Sequence, residues 1–192
     1  MYKAKDYSYL IGMQGFSNKL IKTHLTLYQG YVKNTNKMIE ELCNMEDQSS
    51  NCFAELKRRF GWEFSGMRLH EYYFGNLGCH ELGKEHDQFL KWLCKFFGSF
   101  DRWYDDFVKM GQIRGIGWVI LTRDNHTGRL FNCWIGEHDK GFLAGCQPLL
   151  VMDVWEHAYL CDYGLNRKGY IDAFFHNLNW SMVMERFEHI GI

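Results

Sequence analysis

The chain has 192 residues, of which 46% are hydrophobic, 17% aromatic and 23% charged. That length allows one domain or two small ones, and a single proline with no Ser/Gly/Pro-rich tract argues against disorder. Twenty-two Lys and Arg against 23 Asp and Glu leave a net charge of −1, which is not the basic balance of a nucleic-acid binder.

Leu20, His24, Leu27, Tyr28, Tyr31, Met38 and Leu42 recur at helical spacing. They predict a long amphipathic helix running to about Met45, with Ser17 as its N-cap. A polar run, Glu46 to Ser50, breaks the pattern. Phe53, Leu56, Phe60, Met67, His70, Phe74 and Leu77 then predict a second helix from Asn51 to about Leu77. Two long helices with a short connection pack as an antiparallel hairpin. The polar, glycine-bearing stretch Gly75 to Asp87 is the expected boundary between an N-terminal hairpin domain, 1–80, and a C-terminal α/β domain, 81–192.

Phe89 to Met110 reads as one further helix. After Gly111 the texture changes to β. Gly117 to Thr122 predicts a strand, Arg123 to Gly128 a turn, Arg129 to Ile135 the returning strand, and Pro148 to Asp153 a third strand. Trp155 to Phe187 reads as helical with breaks near Gly164–Gly169. The expected fold is α+β: a long helical hairpin, then an α/β half with a small three-stranded antiparallel sheet.

No stretch approaches the roughly 18 apolar residues of a membrane span, and the first residues lack the apolar run of a signal peptide. The seven cysteines, Cys43, Cys52, Cys79, Cys94, Cys133, Cys146 and Cys161, are scattered without a C-x-x-C. They read as reduced thiols of a cytoplasmic protein, not as a disulfide framework or a thiolate zinc site.

His24 and His70 lie in the buried stripes of the two predicted helices. A lone histidine there is more often a satisfied core residue than a ligand. Two on facing helices weaken that reading, and a metal could join them. Asp153 closes an apolar strand and His157 follows four residues later. A metal shared by the pair and an N-cap aspartate beside a surface histidine are equally consistent with that spacing. Three imidazoles and a carboxylate suit iron, manganese or zinc. His70 to Phe74 begins like a zinc-protease helix, but Phe74 stands where the second histidine would be.

The segment Asp153-Val154-Trp155-Glu156-His157-Ala158-Tyr159, followed by Tyr170-Ile171, Phe174, Asn179-Trp180 and Arg186-Phe187, resembles the C-terminal signature of the iron/manganese superoxide dismutases. Tyr31 to Asn36 is similar to the family's YVNNxN, His70 to Phe74 to its second-helix histidine with aromatics, and Gly115 to Trp118 to its G-x-G-W. The resemblance spans about residues 15–188.

It implies superoxide as substrate, disproportionated to oxygen and hydrogen peroxide by one Fe or Mn per subunit cycling between +3 and +2. It implies His24, His70, Asp153 and His157 as metal ligands, with solvent as a fifth. Tyr31 would be the gateway tyrosine, and Trp118 and Trp155 an apolar wall. Glu156 would cross a homodimer interface to orient His157 of the partner subunit. A tetramer is the alternative assembly, with neither nucleic acid nor membrane as partner.

Three departures stand out. The family's first histidine lies eight residues before the gateway tyrosine. Here that slot is Thr23, and His24 lies seven before Tyr31. Seven residues are two turns of a regular helix, so His24 still shares a face with Tyr31, whereas eight need a local bulge. The usual second-turn histidine and second tyrosine are Leu27 and Leu160, an exchange that strands no donor. The solvent-bonding glutamine of many members is His138, which favours iron over manganese.

A non-haem iron oxygenase with a two-histidine, one-carboxylate triad is the alternative enzyme. A structural relative without activity is the alternative outside catalysis. His80, His86, His126 and His189 read as solvated, and His176 as structural. In an enzyme that makes peroxide, the thiols are expected to be buried or neutral.

Overall fold

The computed structural model describes residues 1–78 and 87–188. After a 3-10 turn at Ser8–Leu10, helix α1 (Asn18–Asn44) and helix α2 (Asn51–Gly75) form the expected hairpin. Each starts on a serine. Ser17 Oγ accepts the Leu20 N–H at 3.0 Å, and Ser50 Oγ accepts the Phe53 N–H at 3.2 Å. The buried face of α1 carries Leu20, Ile21, His24, Tyr28, Val32, Thr35 and Met38. On α2 burial is confined to the C-terminal half, from Gly66 to Phe74. Leu42, Phe53, Leu56 and Phe60, expected in the core, are only half-buried, because at the far end of the hairpin each helix has little but the other to cover it.

Phe89 to Met110 is not one helix. Helix α3 (Asp87–Phe97) stops at Gly98, whose φ is +90°, and helix α4 (Phe100–Gly111) restarts on Ser99, which accepts the Arg102 N–H at 3.1 Å. A left-handed glycine followed by a serine cap ends one helix and begins another.

Strands β1 (Gly117–Asp124), β2 (Leu130–Gly136) and β3 (Cys146–Asp153) form an antiparallel sheet in the order β2-β1-β3. Trp118 lies opposite Ile135 on one side and Asp153 on the other, so the three side chains share a face. The register shifts between Leu121 and Thr122, which pair with Leu150 and Pro148. The extra residue is a bulge, and the proline is tolerated because β3 is an edge strand.

The C-terminal part is more broken than expected. A 3-10 turn at Glu156–Ala158 holds His157, which therefore does not lie in an α-helix. Helices α5 (Leu160–Tyr163), α6 (Arg167–His176) and α7 (Trp180–Glu188) follow. The break near Gly164 is present, and a second at 177–179 escaped the periodicity. There Asn177 Nδ2 donates to the Gln14 carbonyl at 2.9 Å, and the Asn179 N–H donates to the Asn76 carbonyl at 2.6 Å.

Long-range hydrogen bonds tie the end of α2 to β3. Arg186 Nη1 donates to Asn76 Oδ1 at 2.5 Å and to the Leu149 carbonyl at 2.8 Å, while Asn76 Nδ2 donates to the Val151 carbonyl at 2.6 Å. The hydrophobic core is continuous from Leu20 and Tyr28 on the hairpin through Trp118 and Val151 on the sheet to Phe174 and Phe187. None of the helices among the described residues is long and apolar enough to cross a membrane.

The thiols are not sheltered as expected. Cys43, Cys52, Cys94 and Cys161 are exposed, Cys133 and Cys146 are half-buried, and all six are free. His126 is exposed, as is His176 at the end of α6. Cys79, His80, His86 and His189 lie outside the described residues.

Candidate metal centre

Four elements converge on one point. His24 comes from the second turn of α1, His70 from the C-terminal half of α2, Asp153 from the last position of β3, and His157 from the 3-10 turn after it. One donor atom from each can be chosen so that all lie within 4.8 Å of one another. Around Asp153 Oδ2, the Nε2 atoms of His157, His24 and His70 stand at 3.1, 3.2 and 3.8 Å. The other carboxylate oxygen is occupied: Oδ1 accepts the Trp155 N–H at 2.8 Å. The Asp153 carbonyl accepts the Tyr170 hydroxyl at 2.5 Å. These contacts aim Oδ2 at the imidazoles.

His24, His70 and Asp153 are buried, and the His157 side chain is 22% exposed. His70 Nδ1 donates to the Gly66 carbonyl at 2.6 Å, which leaves Nε2 bare. That Nε2 is buried with no hydrogen-bond partner, and so is His24 Nδ1. His70 Nε2 faces the Asp153 carboxylate as acceptor against acceptor, a buried contact that is costly unless a cation lies between them. Separations of 3–4 Å are those of donors sharing one ion at about 2.1 Å. The residues therefore fit a first-row metal ion. Burial pushes both His24 and His70 below the ordinary histidine range, partly offset by Asp153. Burial alone would raise the Asp153 carboxyl, but the charge and hydrogen bond of His157 and the bond from His24 outweigh it and hold it well below the usual carboxylate range.

Helix α1 is regular α-helix throughout, without a π turn. His24 and Tyr31 thus stand two turns apart on the face toward the site. The Tyr31 ring stacks on His70 with centroids 5.1 Å apart and planes at 28°. It also lies against the backbone of α2 at Gly66, where a Cβ would come within 2.7 Å of the ring. The Tyr31 hydroxyl is 2.6 Å from His138 Nε2. Burial, with the Glu63 and Asp153 charges, pushes the Tyr31 phenol up to about 12.

His138 lies in the loop between β2 and β3 and is fully buried. The loop is closed by reciprocal backbone bonds between Gly136 and Lys140, and Glu137 takes a left-handed φ of 54°. The His138 ring stacks on Trp155 at 4.7 Å and 22°, and receives the Trp118 indole N–H on Nδ1 at 3.0 Å. Burial lowers its pKa to about 4. Trp118 also presents its edge to His70 at 4.9 Å, while Trp155 stacks on His157 at 5.8 Å. Each tryptophan is therefore at the site, and each is also hydrogen-bonded, Trp155 through its indole N–H to the Glu137 carbonyl at 3.2 Å.

A third tryptophan went unrecognised in the sequence. Trp62 meets His138 edge-to-face at 4.9 Å and Trp155 at 6.1 Å. Its signal was the four-residue ladder Trp62, Gly66, His70 on one face of α2. Glu156 is exposed, and its side chain makes no hydrogen bond or ion pair among the described residues. Leu27 is half-buried, and Leu160 is 48% exposed rather than packed at the site.

Residues 85–186 match the family described as iron/manganese superoxide dismutases, C-terminal domain. The chain belongs to the iron/manganese superoxide dismutase family. Over 192 aligned residues it is 35% identical to a protein of Aquifex aeolicus named superoxide dismutase [Fe], covering 96% of this chain and 90% of that one. A superoxide dismutase [Fe] of Cupriavidus metallidurans is 38% identical over 181 residues, covering 91% and 90%. A relative from Haloferax volcanii named superoxide dismutase [Mn] 2 is 32% identical over 166 residues, covering 86% and 83%. The family holds members named for either metal, and the four converging side chains suit both.

Proposed function

We propose that this protein disproportionates superoxide, two superoxide anions and two protons giving oxygen and hydrogen peroxide, with His24, His70, Asp153 and His157 holding one metal ion. The observation that carries this reading is the convergence of those four side chains with a bare, buried imidazole nitrogen at their centre. When bound, iron or manganese supplies one-electron redox chemistry between its +3 and +2 states. Three neutral imidazoles and one carboxylate leave a net positive centre, which attracts an anion. Trp62, Trp118 and Trp155 exclude bulk water around it, which strengthens that attraction. Tyr31 and His138 hold exchangeable protons beside the centre. A fourth protein donor argues against the three-donor oxygenase triad.

Iron is the metal we favour. His138 at the position many members fill with glutamine supports it, as do relatives named for iron. The unpartnered, exposed Glu156 beside His157 supports a homodimer in which Glu156 reaches His157 of the partner subunit, a tetramer being a further pairing of such dimers. We place the protein in the cytoplasm, its exposed thiols reduced. We retain a division into a hairpin unit, 1–80, and an α/β unit, 81–192, as folding units.

The deciding experiment is metal content of protein from cells supplied with iron and manganese, with dismutation assayed on the same sample. About one iron or manganese per chain with activity is expected. Protein without metal after reconstitution would sink the ligand set. Metal without activity, persisting after exchange of one metal for the other, would leave a structural relative.

A further inference from the structure

A cavity of about 300 Å³ opens between the N-terminal segment, α2 and α7, lined by Lys5, Arg68, Glu71, Tyr72, Met182 and Arg186. None of the six is among the four converging donors of the metal centre. Three of them are cations and one is a carboxylate. Glu71 is buried, and both its carboxylate oxygens are engaged. Oε1 accepts the Tyr28 hydroxyl at 3.1 Å, and Oε2 accepts Arg68 Nη1 at 2.6 Å with Lys5 Nζ at 3.6 Å.

Arg186 has no such partner. Its Nη1 donates to Asn76 Oδ1 and the Leu149 carbonyl, and its Nη2 to the Tyr72 carbonyl, all neutral acceptors. A guanidinium carries five N–H hydrogens, so the Nε hydrogen and one on Nη2 have no acceptor among the described residues. It makes no ion pair among them either; Glu185, exposed on the same helix, is a carboxylate whose charge it feels. Burial pulls its pKa down to about 10, which leaves it charged at neutral pH. Its place is fixed: a Cβ at Gly75 would come within 2.9 Å of Nη2, and the Tyr72 ring lies against the guanidinium at 4.7 Å. A half-buried cation without a counter-ion is costly, and here cations outnumber carboxylates by two around one cavity.

We propose that this cavity binds an oxyanion of the phosphate class, either free phosphate or the phosphate end of a small phosphomonoester. Guanidinium and ammonium donors arriving from three elements suit a tetrahedral anion with several oxygens better than chloride, and a dianion matches the excess charge. The spare Arg186 hydrogens would bind it from the wall. Lys5, whose side chain is 61% exposed, would close on it from the rim. The site is independent of the dismutase reading.

The test is calorimetric titration of the metal-loaded full chain with inorganic phosphate at fixed ionic strength, in saturating azide so that the metal centre is occupied. One-site saturation with a Kd of about 1 mM or below is expected, the worth of two charge-assisted hydrogen bonds. Glycerol 3-phosphate, titrated in parallel, separates the sources: tighter binding than phosphate assigns a phosphomonoester, weaker binding free phosphate. No saturation by either at about ten times that concentration, or equal binding of chloride, overturns the proposal. Lys5→Gln is expected to weaken phosphate about tenfold, the worth of one charge-assisted hydrogen bond. Glu71→Gln is expected to strengthen it, because the variant removes the one carboxylate of the lining. Lys168→Gln, on α6 beside Asp172, should leave it unchanged. Equal losses in Lys5→Gln and Lys168→Gln would reduce the effect to net charge and overturn the site. Should Glu71→Gln fail to fold, the exposed Lys5 decides alone. A chain that holds no metal would sink the dismutase reading and leave these titrations, run without azide, equally decisive.

Discussion

Tyr31 and His138 stand 107 residues apart in the chain, on the hairpin and on the loop between β2 and β3, and meet with the phenol oxygen 2.6 Å from the imidazole Nε2. Their contact exists only because α2 docks on β3 and brings the hairpin face over the sheet face that carries Trp118 and Asp153.

His138→Gln is expected to keep the metal bound while changing the redox potential and the balance between iron and manganese. A one-electron couple moves by about 59 mV for each tenfold change in the relative affinity of its two oxidation states. Potentiometry and metal analysis of the same sample check it. An empty site in the variant would make His138 a ligand and overturn the assignment.

Gly66 seats the Tyr31 ring. A Cβ there would lie 2.7 Å from two ring carbons, and the ring is also held by stacking on His70 and by the contact of its hydroxyl with His138. Gly66→Ala is expected to lower stability by about 1–3 kcal/mol through overpacking, read from the urea midpoint. Adding Tyr31→Ala should remove most of that cost. An equal cost in both backgrounds would mean the strain lies elsewhere.

The metal-free protein should weaken in mild acid. Burial holds His24, His70 and His138 below the ordinary histidine range. A group with a depressed folded pKa contributes stability that is complete above its unfolded pKa, about 6.5 for histidine. That contribution is lost as pH falls through this value toward the folded one, because the unfolded chain binds more protons. Asp153, also depressed, acts with the same sign below about pH 4. Urea midpoints of the metal-free chain should hold from about pH 8 to 7 and drop below about pH 6. A midpoint that rises on acidification would contradict the neutral, buried histidines.

Glu156→Ala is expected to weaken assembly and metal retention together, with metal affinity falling roughly 10–100-fold, as for other groups that orient a ligand histidine. Sedimentation and metal analysis read the two effects. An unchanged sedimentation profile would count against a bridge to the partner subunit.

The exposed thiols make a separate prediction. Iodoacetamide near neutral pH is expected to label Cys43, Cys52, Cys94 and Cys161 rapidly. Cys133 should lag, because burial pushes its thiol up to about 11 and only the thiolate reacts. Peptide mapping over time orders the rates, and early labelling of Cys133 would contradict its half-buried place on β2.

The sequence by itself determined the parts whose signals are local. Helical spacing and serine caps marked α1 and α2, and alternating texture with turn residues marked the three strands. The aspartate and histidines of Asp153 to Tyr159, with His24 and His70 on their helix faces, were legible as candidate ligands, and the seven-residue step from His24 to Tyr31 correctly implied a regular helix. Tertiary structure decided what those residues meet. The exposure of four cysteines and of Leu160, and the place of Trp62 beside His138, follow from which surfaces are covered. Periodicity records only that a face is apolar. The surroundings of His138 are the sharpest case, because the indole N–H that reaches its Nδ1 comes from Trp118 on β1, 20 residues away.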